Sequence, residues 1–473
     1  MITRIEAYRY RCFEKLELAL DRFHIFVGPN GAGKTTLLDI PILLGEILAS
    51  RSIEKAFLRP TETHPRPRAD YGGDLIFRGE GKFFVLAVEA ALPGEIVHSL
   101  LEKPVATGKG AKAVERLRQT PGQWLTRIRY EIQFELFNEA LQIGQEYLLL
   151  LPDDESWKER APSGLIGEWL EESGSPAVPI IQRGTDGKIV FTPEAEARGP
   201  RNEYSFPLTE PAFANVFADR TRYGASLWLR DLLTEGACAY QPSLTALRTA
   251  QPRTQKPQIT RDAASLPWLA HALADAARPQ TGDMTGTEVK PLEESRERAG
   301  LGSSDTNKPE VKPLPAFERW QNLVRLALPQ LDRIEPVVRQ DDRHAYLRLH
   351  YRNGSSVPAC SVSDGTLYIL ALTILPYLAV TPAVLTQEEP ENGIHPKGIE
   401  LIVEALQSVH GSQVFVSTHS PLVLAQCKPA QIVCLRIAEN GAAVAVRGDH
   451  DPALREWHGS VDLGTLLASG VLG

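Results

Sequence analysis

The chain has 473 residues, 43% of them apolar, a formal net charge of −8, and five cysteines (12, 238, 360, 427, 434) scattered without Cys-x-x-Cys spacing. That is ample material for two or three folded units, and it argues against a disulfide framework, a zinc site and wholesale wrapping of nucleic acid. The N-terminus is charged and lacks an apolar h-region, so no secretory signal is expected, and the cysteines read as small buried hydrophobes of a reducing cytoplasm.

In chain order, Phe23-His24-Ile25-Phe26-Val27 predicts a short buried strand. Residues 28–35 then read Gly-Pro-Asn-Gly-Ala-Gly-Lys-Thr, a full match to G-x-x-x-x-G-K-[ST], and Thr36-Leu37-Leu38-Asp39-Ile40 opens a helical pattern. Strand, glycine loop and helix together form a phosphate cradle: backbone N–H groups turn inward and the helix N-terminus adds a positive dipole end. Gly28, Pro29, Asn30, Gly31, Ala32, Gly33, Lys34, Thr35 and Thr36 are therefore the candidate nucleotide-binding residues. Lys34 would reach the β- and γ-phosphates of a nucleoside triphosphate, and the Thr35 hydroxyl would ligate Mg²⁺.

Residues 50–315 are less legible. Phe83-Phe84-Val85-Leu86-Ala87-Val88, residues 128–134 and Gly187-Lys188-Ile189-Val190-Phe191 predict strands, the last after an Asp186-Gly187 hairpin turn. Residues 212–250 and 263–277 read as helical, with Trp228, Leu229, Leu232 and Leu233 on one face. Lys109, Lys112, Arg116, Arg118, Arg127 and Arg129 form the densest basic run, and Arg253, Lys256 and Arg261 a second. A solvated helical face is the simpler reading of both. Prolines recur and no a/d heptads persist, which excludes a long coiled-coil rod. Residues 278–313 turn to Thr, Gly, Ser, Glu, Lys and Pro, the composition of a disordered linker.

Beyond it, Ser361-Val362-Ser363-Asp364-Gly365-Thr366 precedes a long apolar helix beginning at Leu367. The stretch from 367 to 385 is as long and apolar as a membrane span, but Pro376 and Pro382 break it into a buried helix, a turn and a buried strand. Ala383-Val384-Leu385 ends in Thr386-Gln387-Glu388-Glu389-Pro390, a strand delivering two carboxylates at its end, as a Walker B strand does. Glu388 would hold Mg²⁺ through water, and Glu389 would act as the general base on the attacking water. Finally, Gln413 to Val416 forms a strand that runs into Ser417-Thr418-His419-Ser420-Pro421, a polar turn with one histidine.

These motifs, in this order, resemble the ABC-type ATPase heads of the RecF/SMC/OLD branch, and more narrowly its stand-alone bacterial AAA family ATPases. Tyr10-Arg11-Cys12-Phe13 with alternating Leu16 and Leu18 is similar to the strand preceding their phosphate loop. The resemblance covers about residues 1–45 and 316–473. It implies an α/β ATPase head built from both chain ends, with residues 1–50 and 314–473 as its two parts and 51–277 as a mixed strand and helix insertion. It also implies a shared site, in which the signature loop of one subunit closes on the ATP held by another, in a homodimer or higher even oligomer. Ser363 and Gly365 match that signature, His419 the switch histidine at the γ-phosphate, and Asn392, Gly393 and His395 the loop crossing the interface. Departures are the Val-Ser-Asp-Gly-Thr signature, a glutamate at 388 where aspartate is commoner, and Gln387 inside an apolar strand. The glutamine loop of that family has no assigned position here.

The implied function is ATP-dependent conformational switching in the bacterial cytoplasm, in DNA maintenance or anti-phage defence, with a separate effector such as a nuclease and no membrane. A RecF-like clamp on DNA, with ATP controlling loading and release, is the alternative. A self-contained nuclease would have to use Asp341-Asp342 or Asp449-His450-Asp451, and neither has the strand-end glutamate plus Asp-x-Asp set of a Toprim-type metal site.

Overall fold

The structure is a computed structural model describing residues 1–61, 64–102, 124–153, 165–167, 169, 177–194, 202–253, 258–277, 314–451 and 454. Lys109, Lys112, Arg116, Arg118, Lys256, the stretch 278–313 and most residues after 451 lie outside the described residues.

Seventeen strands are described, in three sheets. The first is antiparallel and eight-stranded: β1 (Ile2–Tyr10), β2 (Phe13–Ala19), β4 (Phe83–Ala91), β5 (Leu125–Phe137), β6 (Ala140–Pro152), β7 (Val178–Arg183), β8 (Ile189–Phe191) and β9 (Asn202–Tyr204), in the order β2-β1-β4-β5-β6-β7-β8-β9. The second, six-stranded, contains β3 (Phe23–Val27), β10 (Ala237–Ala239), β14 (Val384–Glu388), β15 (Gln413–Thr418), β16 (Ile432–Ile437) and β17 (Ala443–Arg447) in the order β10-β14-β15-β3-β16-β17. A small antiparallel sheet of β11 (Leu331–Val338), β12 (Ala345–Tyr351) and β13 (Ser356–Pro358) completes the set.

The six-stranded sheet is parallel from β10 to β16, and only β17 runs back. Its central strands read as unbroken buried runs, all five residues of β3 and all six of β15, because both faces are covered. On one face lies the helix Lys34–Ser50, in a core shared with the antiparallel sheet: Leu37, Leu43 and Leu44 join Phe26 and Phe415 on one side and Leu86 and Ile132 on the other. The other face is covered by the helices Ala316–Ala327, Asp364–Thr373 and Pro396–Gln407 around Trp320, Leu370 and Ile402. Parallel register places Glu388 opposite Ser417 and Thr418 opposite Val27. Three loops from distant parts of the chain thus emerge at one sheet edge, where open α/β sheets bind ligands.

Several expectations change. Residues 212–250 are not one helical stretch: the helix Gly224–Thr234 gives way to β10 and then to the short helix Leu244–Arg248. β10 exists because β14 offers it a free edge, a tertiary effect that overrides local pattern. Arg127 and Arg129 are not on a solvated helical face. They lie on β5, 6% and 1% exposed, and Arg129 bonds Glu6, Glu89 and Glu131. The cysteines are all free, but only Cys427 and Cys434 are buried. Residues 364–388 do form a helix, a turn and a strand, and no described helix is long and apolar enough to cross a membrane.

Candidate functional site

The loop after β3 is shaped by its glycines. Gly33 caps the helix Lys34–Ser50 at φ 91°, and a Cβ there would lie 2.6 Å from Cys12 Sγ and 2.8 Å from Phe13 Cζ. Neither the backbone angle nor the space admits a side chain. Lys34 is 8% exposed, and its Nζ folds back to donate to Gly28 O at 2.7 Å and Pro29 O at 3.0 Å. Burial lowers its pKa, against the opposing pull of Glu389 and Glu388.

Both ends of the chain line one cleft of about 290 Å³. Asn30, Gly31, Gly33, Lys34, Thr35 and Thr36 form its floor, while Glu388, Glu389, Ser417 and His419 enter from the ends of β14 and β15. Gly28 and Ala32 are buried in the loop behind it, and Pro29 is exposed at the loop's turn. Arg11 and Cys12, from the turn between β1 and β2, form a further wall.

Within the cleft, Thr35 Oγ1 donates to Glu388 Oε2 at 2.8 Å. Gln241 Nε2 donates to Glu388 Oε1 at 3.3 Å, and Arg261 Nη2 donates to Gln241 Oε1 at 2.6 Å. A hydroxyl and a carboxylate in contact are the hard oxygen set that suits Mg²⁺, so Thr35 and Glu388 fit the metal role. Gln241 was not picked out in the sequence. It sits just past the three-residue β10, and its sequence signal, one glutamine after Ala237-Cys238-Ala239-Tyr240, is too faint to find without the sheet.

Glu389 holds a left-handed φ of 45°, unusual for a side-chain-bearing residue and costing on the order of 1–3 kcal/mol. Its N–H donates to Ser417 O at 2.8 Å, Asn392 Nδ2 donates to its Oε2 at 2.6 Å, and His419 Nε2 lies 3.8 Å from its Oε1. The strained turn points the carboxylate into the cleft rather than along the strand. Gln387, the polar residue within β14, is 5% exposed and donates to Glu388 O at 3.0 Å, so it packs inside the sheet and does not enter the cleft.

Ser363 and Gly365 are not brought into this cleft. Ser363 precedes the helix Asp364–Thr373 and its Oγ lies 2.9 Å from Thr366 Oγ1. Gly365 rests against the backbone of Gly393, where a Cβ would come within 2.6 Å of Gly393 O. Asp364, the departure from the signature pattern, pairs with Arg248, whose Nη2 also donates to Val362 O at 3.2 Å. His395 caps the helix Pro396–Gln407. The acidic candidates for a nuclease are engaged elsewhere: Asp342 by His344 and Arg339, Asp449 by Arg447, and Asp451 by Arg436. Among the described residues no group of three or more His, Cys, Asp or Glu is placed to hold a metal ion.

Residues 259–425 match the family described as "AAA domain, putative AbiEii toxin, Type IV TA system". The match spans less than half of the chain and supports an ATPase. The matched stretch takes in Ser363, Glu388, Glu389 and His419, while the glycine loop of residues 28–35 lies upstream of it. A 51-residue stretch is 43% identical to an OLD nuclease of Thermus scotoductus, covering 11% of this chain and 10% of that protein's length. The chain is also similar, at 11% identity, to a Smc head bound to the C-winged helix domain of ScpA, over 94% of this chain and 97% of that one with a TM-score of 0.45. A Smc head with an extended coiled coil, bound to the C-terminal domain of ScpA and derived from Pyrococcus furiosus, gives 11% identity over 94% and 95% with a TM-score of 0.42. The SMC head domain from Thermotoga maritima gives 10% identity over 94% and 98% with a TM-score of 0.37. The fold is α/β, its parallel sheet assembled from both chain ends.

Proposed function

We propose that this ATPase is a nucleotide-driven switch: two copies close on ATP, hydrolyse it and open. The observation that carries the reading is the convergence of the phosphate loop, Glu388, Glu389 and His419 on one cleft, with the signature residues Ser363 and Gly365 outside it. A second chain would have to bring its signature turn to complete the site.

In this reading the loop N–H groups and Lys34 bind the β- and γ-phosphates of ATP. Thr35 and Glu388 would hold Mg²⁺, which supplies charge neutralisation at the phosphate oxygens. Gln241, itself held by Arg261, orients the Glu388 carboxylate. Glu389 takes a proton from the attacking water as the water oxygen bonds to the γ-phosphorus and the bond to the ADP oxygen breaks. His419 contacts a γ-phosphate oxygen beside Glu389. The partner's signature serine and helix N-terminus would approach the γ-phosphate from the far side, adding positive dipole where negative charge develops.

The setting proposed is the bacterial cytoplasm, in DNA maintenance or anti-phage defence, with a separate effector such as a nuclease. The local likeness to an OLD nuclease and the toxin–antitoxin description of the matched family support it. The test is Glu389→Gln, which keeps size and hydrogen bonding but removes the base. It is expected to retain ATP and accumulate a dimer in light scattering, while the wild-type chain cycles back to the open form. Trapping by Glu388→Gln, with Mg²⁺-dependent binding lost in Glu389→Gln, would exchange the two roles. No nucleotide-dependent dimer from either variant would overturn the switch.

A further inference from the structure

β14 and β15 are neighbours in a parallel sheet, so the turns that follow them leave the same edge side by side. One carries Glu389 and the other His419, and nothing in strand pairing fixes their spacing beyond the last ladder bond. The side chain that spans the gap is Glu391. Its Oε1 accepts from Thr418 Oγ1 at 2.6 Å and from the His419 N–H at 3.2 Å. Thr418 is fully buried, and its Oγ1 in turn accepts from the Ser420 N–H at 2.9 Å. On the other side, Glu391 belongs to a tight turn in which the Asn392 N–H donates to Glu389 O at 3.0 Å and the Ile394 N–H donates to Glu391 O at 3.1 Å. The links make a closed ring: Glu389, Asn392, Glu391, Thr418 and His419, and back to Glu389 across 3.8 Å.

We propose that Glu391 is a positioning residue that ties the switch-histidine turn to the general-base turn and so sets the separation of Glu389 and His419. The inference rests on the roles proposed above for those two residues. Glu391 does not line the cleft and touches no reacting atom. It acts by holding two groups whose backbones have alternatives: Glu389 in a left-handed conformation that relaxes if released, and His419 on a half-exposed turn. A group that must abstract a proton and a group that must meet the γ-phosphate work together only if their spacing is kept, and misplacement of about 1 Å is costly in turnover. The sequence places Glu391 two residues past Glu389, a spacing that shows nothing by itself, because its partner Thr418 is 27 residues away.

The acceptor oxygen, not the charge, makes the tie. Among the described residues Glu391 Oε2 is buried with no hydrogen-bond partner, so an amide nitrogen in its place breaks no bond seen there. Steady-state ATPase and ATP affinity of the full chain, measured for four variants, test the idea. Glu391→Ala is expected to lower kcat by roughly 10–100-fold while ATP affinity stays within about threefold. Glu391→Gln keeps the acceptor and is expected to retain at least about a third of wild-type kcat, a rescue that loss of charge would not allow. Thr418→Val removes the donor and should lower kcat alone, yet add little on top of Glu391→Ala, since both cut one link. A Glu391→Ala kcat within about twofold of wild type, a parallel loss of affinity, a Gln variant as slow as Ala, or fully additive losses would each overturn the proposal. If Glu391→Ala does not fold, Thr418→Val decides on its own, by lowering kcat without affinity or by failing to. Glu389→Gln is the control: wild-type turnover there overturns the base assignment and this inference with it. An inactive Glu389→Gln beside an unimpaired Glu391→Ala overturns this inference alone.

Discussion

In the eight-stranded sheet, the Arg129 side chain is 1% exposed and bonds three carboxylates, Glu131 at 2.6 Å, Glu6 at 2.7 Å and Glu89 at 3.0 Å. At the edge of the six-stranded sheet, Glu389 and His419 follow strand ends and are about two-fifths exposed, and Lys34 at the start of the helix donates to its own loop carbonyls. Both sheets perturb their charges. Burial pushes Glu131 and Glu146 upward in pKa, outweighing Arg129 and Arg183, and burial pushes Lys34 downward. The difference lies in what the partners leave over. Glu131 also accepts from the Ile166 and Gly167 N–H groups, and Glu146 from Tyr130 Oη and the Ala212 and Phe213 N–H groups, so these carboxylates are saturated within the fold. The cleft residues instead share an open volume bounded by a strained turn. Perturbed titration alone does not mark a reactive centre; unsaturated groups converging on one space do.

The contrast predicts a crossed pattern of mutant effects. Lys34→Ala takes a cation from the cleft, so turnover should fall on the order of 10²–10³-fold or more, with ATP affinity falling as well. Its unfolding midpoint in denaturant should barely move. Near-normal turnover would remove the cleft's claim to be the nucleotide site. Arg129→Leu does the reverse. It takes the shared cation from the buried Glu89 and Glu131 and leaves Glu6 with Arg4, a change worth about 3–5 kcal/mol of stability, whereas activity per folded molecule should hold within about a factor of two. Loss of activity without loss of stability in that variant would erase the distinction between the two sheets.

A smaller effect sharpens the same point. Burial raises the Glu6 pKa, but Arg129 and Arg4 outweigh it and hold the carboxyl at about 2, below its ordinary 4.5. A carboxylate with a depressed pKa stabilises the fold above its unfolded value and loses that contribution as pH falls through the folded one. Glu6→Gln should therefore cost roughly 2–3 kcal/mol at pH 6, and the gap to wild type should close as pH drops from about 4.5 toward 2. Denaturant titrations of both proteins across that range provide the check, and a gap independent of pH would contradict the assigned ionisation.

The sequence made the parallel sheet far more legible than the antiparallel one. The phosphate loop is contiguous, its glycines are required by local geometry, and buried apolar runs mark β3, β14 and β15 as central strands. Glu388 and Glu389 were readable because they end such a run. What escaped was whatever depends on a neighbour distant in sequence. Gln241 reaches Glu388 only because β10 pairs with β14, and Arg11 and Cys12 reach the cleft from a turn of the other sheet. Arg127 and Arg129 looked like a basic surface because acidic partners as far as 123 residues away cannot be read from a run of charges. Ser363 and Gly365 before a helix resemble a signature turn that acts on another subunit's ATP, and in the fold they lie outside this cleft.

The proposed shared site can be tested directly by mixing two inactive proteins. Ser363→Arg places bulk and charge on the signature turn, and Lys34→Ala disables the phosphate loop. Each alone should be nearly inactive, with ATP binding retained in the first. After subunit exchange, a mixed dimer holds one intact loop facing one intact signature, so ATPase activity should reappear and peak near equal proportions. A Ser363→Arg chain that hydrolyses ATP at the wild-type rate as a monomer would contradict a site built from two chains.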